Sequence, residues 1–102
     1  MKTITVDELK ARLDAGEQLN LVDVREPNEN AEFNIGGILH PLGNIVAMNT
    51  EAIDELKDKE VIFYCRSGNR SGQACMFAET MGFTNVVNVV GGMLAWREKF
   101  GS

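Results

Sequence analysis

Short apolar runs alternate with amphipathic helical segments along the chain. Near the N-terminus, Thr5 and Glu8 have the spacing of a capping box that begins a helix, and Gly16 suits the end of that helix. Three apolar residues then share one helical face: Val6, Leu9 and Leu13. The other elements predicted in this half are a strand at 3–5, a strand at 19–24 (LNLVDV) and a helical turn at 28–32 that follows Pro27.

In the second half, residues 61–64 (VIFY) are apolar throughout, which is typical of a strand buried on both faces of a sheet. Before this strand, the pattern predicts loop and short extended chain at 34–44, then a short helix marked by Ala52, Ile53 and Leu56 that extends back to Ile45. After the strand, a stripe of Ala74, Phe77, Ala78 and Met81 predicts a helix that ends at Gly82. A strand at 86–90 and a last helix containing Leu94, Ala95 and Trp96 complete the chain.

This alternation of strands and helices predicts an α/β fold in which a parallel sheet is covered by helices on both faces. In such sheets, ligands bind outside the carboxyl ends of the strands. Cys65 follows the carboxyl end of the most apolar strand, so we expect a site at the loop that begins there.

Composition and charge narrow the class of protein. The 102 residues, 44% of them apolar, predict one domain over residues 1–102, since no linker or repeat divides the chain. Residues 1–60 carry 6 basic and 13 acidic side chains, whereas residues 61–102 carry 4 basic and 2 acidic ones. An acidic body with a small cationic region argues against a nucleic-acid partner and favours a small anionic ligand.

No apolar stretch reaches membrane-spanning length and the start (MKTITVDELK) lacks a signal-peptide core, so we expect no membrane partner and a cytoplasmic location.

The residues after Cys65 have the composition of an anion-binding loop. Gly68 tolerates positive φ, and its polar neighbours tolerate the tight turn that would aim successive backbone N–H groups inward. The start of the next helix and two arginines add positive charge. The predicted loop residues are Arg66, Ser67, Gly68, Asn69 and Arg70. We therefore expect Cys65 to be a poorly shielded thiol with a lowered pKa, nucleophilic without a partner base.

Four other residues need a decision between chemistry and packing. Cys75 flanks an apolar helical face, so we expect it to pack, and its expected separation from Cys65 disfavours a disulfide. His40 is expected in a loop or on the surface, and a Cys-His pair is possible but not indicated. Asp23 and Arg25 end a strand that should neighbour the Cys65 strand. We expect them to form an ion pair that supports the site, although Asp23 could instead orient a loop arginine, or Arg25 could meet the substrate.

Three segments together resemble a single-domain rhodanese of the sulfurtransferase family: LVDVREPNE at 21–29, YCRSGNRSGQA at 64–74 and GFTNVVNVVGGMLAW at 82–96. The resemblance covers nearly the whole chain. It implies a rhodanese-like α/β fold with a five-stranded parallel sheet flanked by helices on both faces. It also implies transfer of a sulfane sulfur from a donor such as thiosulfate to a thiophilic acceptor, either cyanide or a protein thiol.

The resemblance assigns roles to particular residues. Cys65 would attack the donor and carry the sulfur as a persulfide, which the backbone N–H groups of residues 66–70 would hold. Arg66 and Arg70 would recognise anionic donors. The residues implied to support the loop are Asp23, Arg25, Ser71, Gly91 and Gly92. No metal and no organic cofactor is implied.

The sequence departs from the family pattern in one connecting segment. FNIGGI places Phe33, Asn34 and Gly36 where many relatives have Gly, His and Pro, and the chain is about one residue shorter before Pro41. Val90 replaces an acid that is common before the two glycines. The FNIGGI departure affects the shape of the connecting loop and the docking of an acceptor, but not the chemistry of Cys65.

Two other functions remain open from the sequence. A cysteine-dependent phosphatase or arsenate reductase has five residues between its cysteine and arginine, whereas RSGN gives four between Cys65 and Arg70. A shorter loop suits a lone sulfur better than a phosphoryl group. Alternatively, the domain could be a sulfur carrier without turnover or a protein-docking module. An intact Cys65 argues against a docking module that has lost its chemistry.

Overall fold

The computed structural model describes residues 1–101, so the last residue of the predicted domain, Ser102, lies outside the described residues. The strands are β1 (Lys2–Ile4), β2 (Leu21–Asp23), β3 (Ile38–Leu39), β4 (Glu60–Tyr64) and β5 (Asn85–Val89). The helices are α1 (Val6–Asp14), α2 (Pro27–Glu32), α3 (Leu42–Val46), α4 (Asn69–Thr80) and α5 (Gly92–Phe100), with a 3₁₀ helix at Glu51–Leu56.

The five strands form one sheet in the order β1-β5-β4-β2-β3, and every neighbouring pair is parallel. Strand β4 is central, with Tyr64 opposite Asp23 of β2 and Phe63 opposite Asn88 of β5. Because all strands run the same way, the carboxyl ends of β2, β4 and β5, at Asp23, Tyr64 and Val89, lie at the same edge of the sheet. The predicted α/β fold with a five-stranded parallel sheet is confirmed.

Alternate side chains of β4 enter two separate apolar cores. Val61 and Phe63 face α3, the 3₁₀ helix and α4, whereas Ile62 and Tyr64 face α1 and α5. All four side chains are fully buried, as expected for a central parallel strand covered on both sides. The prediction of helices on both faces is therefore confirmed.

The capping box at the start of α1 is also confirmed. The backbone N–H of Glu8 donates to the Thr5 hydroxyl at 3.1 Å, and the backbone N–H of Thr5 donates to the Glu8 carboxylate at 2.9 Å. Because Thr5 serves as the cap, β1 ends one residue earlier than predicted.

Two local predictions are wrong. The helix expected from Ile45 through Leu56 is interrupted, because Met48 has a left-handed φ of +64° between α3 and the 3₁₀ helix. Phe77 is exposed, since α4 turns Ala74, Cys75 and Ala78 toward the sheet instead. His40 lies in a loop, as predicted, and it is buried there with Nε2 2.7 Å from the Asn49 carbonyl oxygen.

None of the helices found within residues 1–101 combines the length and the apolar character that crossing a bilayer requires.

Candidate active site

The loop after β4 forms a cradle around the sulfur of Cys65. The chain leaves the strand at Cys65 and turns at Gly68, whose φ of +101° is left-handed, before α4 begins at Asn69. The Gly68 N–H donates to Sγ at 3.1 Å, and the Ser71 hydroxyl oxygen lies 3.3 Å from the same atom. A strand end, a glycine turn and a helix start therefore converge on one sulfur, as the residue pattern predicts.

The cradle favours the anionic form of Cys65. Burial is the largest single influence and opposes ionisation. Hydrogen bonds from the Ser71 hydroxyl and from backbone N–H groups of Ser71, Gly68 and Ser67 together outweigh burial and lower the pKa of the Cys65 thiol. The predicted direction of the shift is confirmed.

The expected poor shielding of Cys65 is wrong, because the residue is 0% exposed. The loop and the apolar core below it enclose the thiol on all sides. Reaction of this thiol with a donor would therefore require the loop to move far enough to admit the reacting atom.

Cys75 has the opposite character. It is fully buried in the core beneath α4, and burial raises the pKa of its thiol to about 12, with a smaller contribution from Glu79. Both cysteines are free thiols. The prediction that Cys75 packs is confirmed, and its thiol is poorly suited to nucleophilic chemistry.

Asn88 is a site residue that sequence reasoning missed. Its Oδ1 lies 2.5 Å from the Ser71 hydroxyl oxygen, and its Nδ2 donates to the Gly68 carbonyl at 3.1 Å. Since Ser71 has only one hydroxyl hydrogen, Asn88 and the Cys65 sulfur compete for it. A polar residue inside the apolar strand VVNVV was the available signal.

Asp23 and Arg25 form the expected ion pair, which is buried. The guanidinium donates from Nε and Nη2 to the two carboxylate oxygens, both at 2.9 Å. Asp23 also accepts from Asn30 in α2 at 2.9 Å, and Arg25 donates to the Phe33 carbonyl at 2.6 Å. The pair thus joins the end of β2 to α2 and to the segment that follows α2.

The loop arginines differ in their surroundings. Arg70 makes two hydrogen bonds to Glu29 of α2, at 2.7 and 2.8 Å, and this contact lowers the pKa of Glu29 to about 2. Arg66 is exposed and has no acidic partner within residues 1–101. Binding of an anionic donor by Arg70 would require the guanidinium to share or leave Glu29. Asn69 is exposed at the start of α4.

Gly91 and Gly92 lie against the loop, as predicted, and attach α5 to it. Their φ angles are +81° and +55°. The N–H groups of Met93 and Leu94 donate to the carbonyls of Cys65 and Arg66, both at 2.9 Å. The first turn of α5 therefore fixes the backbone that carries the sulfur.

Comparison with known proteins identifies the family. A family model described as a rhodanese-like domain matches residues 5–99. The chain belongs to the rhodanese-like family. It is 43% identical over 96 residues to YtwF of Bacillus subtilis, covering 94% of this chain and 90% of the relative. It is 38% identical over 93 residues to a protein of Allochromatium vinosum named a sulfurtransferase, covering 91% and 85%.

The same fold is present in a solved rhodanese-like domain protein from Staphylococcus aureus, with a TM-score of 0.81 and 34% identity over 94% of this chain and 91% of that one.

The rhodanese segment that departs from the family pattern, FNIGGI, is attached to the sheet. The Tyr64 hydroxyl donates to the Gly36 carbonyl at 2.8 Å, which fixes the segment beside β4.

A cavity of about 320 Å³ lies beside the rhodanese loop. Its wall includes Arg66 from the loop, Phe33 from the segment after α2, and three residues of α5, Met93, Leu94 and Arg97. The guanidinium of Arg97 lies over the Phe33 ring, 4.9 Å from the ring centre. Sequence reasoning missed Arg97, although it follows Met93 by four residues and so shares its helical face.

Proposed function

We propose that this protein is a sulfurtransferase that moves a sulfane sulfur from a small anionic donor such as thiosulfate to a thiophilic acceptor, cyanide or a thiol, through a persulfide on Cys65. The observation that carries the proposal is the cradle, in which a backbone N–H and a hydroxyl lie 3.1 and 3.3 Å from Sγ and the pKa of the thiol is lowered. Membership of the rhodanese-like family and the name of the Allochromatium relative support it.

The first step uses Cys65 as the nucleophile. The Cys65 thiolate attacks the sulfane sulfur of thiosulfate, the sulfur–sulfur bond of the donor breaks, and sulfite leaves with the bonding electron pair. The product is a persulfide anion on Cys65. The N–H groups that point into the cradle suit that anion, since they stabilise negative charge on sulfur.

The second step returns the enzyme to its starting state. A cyanide ion or an acceptor thiolate attacks the outer sulfur of the persulfide. The bond between the two sulfurs breaks, and Cys65 leaves as a thiolate with the electron pair. The products are thiocyanate or an acceptor persulfide. No external oxidant or reductant is needed, because the acceptor itself supplies the electron pair: an acceptor thiolate receives the sulfur at the persulfide level, and the carbon of cyanide is oxidised when thiocyanate forms.

Intact-protein mass spectrometry after incubation with thiosulfate tests the proposal. We expect the parent protein and Cys75→Ala to gain one sulfur atom that cyanide removes, and Cys65→Ser to gain none. Cys75→Ala is the matched control, because it removes a thiol whose pKa is raised rather than lowered. The mechanism would be overturned if Cys65→Ser gained a sulfur atom, or if both the parent protein and Cys75→Ala failed to gain one.

Steady-state turnover separates an enzyme from a carrier. Continuous release of thiocyanate from thiosulfate and cyanide would establish catalysis. A single loading event without release to cyanide or thiols would instead identify a sulfur carrier. Hydrolysis of a phosphate ester by a protein that takes up no sulfur would point to the phosphatase alternative.

A further inference from the structure

The cavity beside the loop contains two arginines whose charge is not used within residues 1–101. Arg25 pairs with Asp23 and Arg70 with Glu29, whereas Arg66 and Arg97 have no acidic partner in the part of the chain that the structure describes. Glu29 lines the cavity, but its carboxylate is hydrogen-bonded to Arg70. Glu32 is therefore the acidic residue of the wall whose charge can offset Arg66 and Arg97. The cavity therefore has a local positive charge in a protein of net charge −5.

Arg97 is held in a defined place relative to the reacting residue. The first turn of α5 is joined to the backbone of Cys65 and Arg66 by two hydrogen bonds of 2.9 Å. Arg97 lies one helical turn later, and its guanidinium carbon lies over the Phe33 ring, 4.9 Å from the ring centre. A guanidinium held over a ring by a cation–π contact keeps N–H groups that can donate to an anion.

The same cavity has an apolar side and more room than the smallest reagents need. Exposed Leu94 and half-buried Phe33 provide carbon surface, and the volume of about 320 Å³ is within the range of pockets for organic ligands. Cyanide has two heavy atoms and no apolar part to cover this surface. The wall thus fits a ligand that combines an anionic group with a short carbon chain.

Resting on the function proposed above, we propose that Arg97, together with Arg66, binds the carboxylate of a small thiol acceptor and so makes the protein selective for carboxylate-bearing thiols. The acceptor's carbon chain would lie on Leu94 and Phe33 while its sulfur attacks the persulfide. The acceptor thiolate bonds to the outer sulfur, the sulfur–sulfur bond of the persulfide breaks, and Cys65 leaves as a thiolate.

The test compares two acceptors of similar size with thiosulfate as donor, 3-mercaptopropionate with a carboxylate and 2-mercaptoethanol without one. Arg97→Gln should raise the KM for 3-mercaptopropionate about tenfold more than the KM for 2-mercaptoethanol, as expected for loss of one charge-assisted hydrogen bond. Lys99→Gln is the matched control, since it removes the same charge from the same helix but faces Asp7. It should change both KM values equally.

Equal effects of Arg97→Gln on the two acceptors, or a selective effect of Lys99→Gln, would overturn the assignment of Arg97. Persulfide loading by thiosulfate is measured on the same samples. Absence of loading in the parent protein would refute the sulfurtransferase function itself. Normal loading without acceptor selectivity would refute only the role of Arg97.

Discussion

Replacing Gly92 by alanine should displace the Cys65 loop. Gly92 has a φ of +55°, and a Cβ there would lie 2.5 Å from the Cys65 carbonyl oxygen and 2.6 Å from the carbonyl carbon and oxygen of Arg66. These are backbone atoms, so no side chain can rotate away. Ordinary contacts begin at about 3.5 Å. Helix α5 and the loop must therefore separate by about 1 Å.

The cost has two parts. The left-handed conformation costs an alanine about 1–2 kcal/mol. Moving Met93 and Leu94 by about 1 Å breaks their hydrogen bonds to the Cys65 and Arg66 carbonyls, now 2.9 Å long, at about 0.5–1.5 kcal/mol each. Gly92→Ala should therefore lower the free energy of unfolding by about 2–5 kcal/mol. A displacement of 1 Å at the reacting group should also slow persulfide formation by about 100-fold.

Urea denaturation measures the first effect, and the rate of sulfur uptake from thiosulfate, followed by mass spectrometry, measures the second. Gly43→Ala is the control, because Gly43 lies in α3 with open space around its Cβ position. That variant should be neutral or more stable by about 0.5–1 kcal/mol. If Gly92→Ala matched the parent in both assays, the contact between α5 and the loop would not hold the sulfur in place.

Three further predictions follow from individual contacts. Ser71→Ala removes a hydrogen bond that lowers the pKa of Cys65, so the pH profile of sulfur uptake should move to higher pH; an unchanged profile would exclude that contribution. The Glu29–Arg70 pair holds the pKa of Glu29 at about 2 rather than 4.5, so its contribution to stability is complete above about pH 4.5 and is lost toward pH 2. The unfolding free energies of the parent and Glu29→Gln should differ most at neutral pH and converge near pH 2; a constant difference would contradict this. Iodoacetamide at neutral pH should alkylate Cys65 before Cys75, and the reverse order in peptide mapping would contradict the opposite pKa shifts.

The parts of the fold and site that the sequence predicts depend on local pattern. The capping box at Thr5, the apolar strand VIFY and the glycine turn at Gly68 each involve residues close together in the chain, whose geometry follows from backbone sterics and hydrogen bonding. The parallel direction of the strands then follows from their alternation with helices. Cys65 and its cradle could be found in this way because one short segment contains nearly all of it.

The missed contacts join distant segments. Glu29 lies 41 residues from Arg70, and Asn88 lies 17 residues from Ser71. Nothing local shows that a helix after β2 places a carboxylate against a loop arginine. The burial of His40 likewise depends on where the carbonyl of Asn49 falls after α3 ends. Such pairings follow from the packing of elements, which a single sequence does not specify residue by residue.

Hydrogen bonds stabilise the thiolate more than formal charges do, and a change of salt concentration separates the two contributions. The largest influences that lower the pKa of Cys65 are hydrogen bonds from Ser71, Gly68 and Ser67. The charge of Arg70 also interacts with Cys65, but Arg70 is bound to Glu29, and Arg66 is exposed. Salt screens exposed charges, with a Debye length of about 10 Å at 0.1 M and about 3 Å at 1 M, but barely affects buried hydrogen bonds. Raising the salt concentration to 1 M should therefore slow sulfur uptake from thiosulfate, a dianion, and leave alkylation of Cys65 by neutral iodoacetamide nearly unchanged. An equal loss in both reactions would mean that the arginines, and not the cradle, maintain the thiolate.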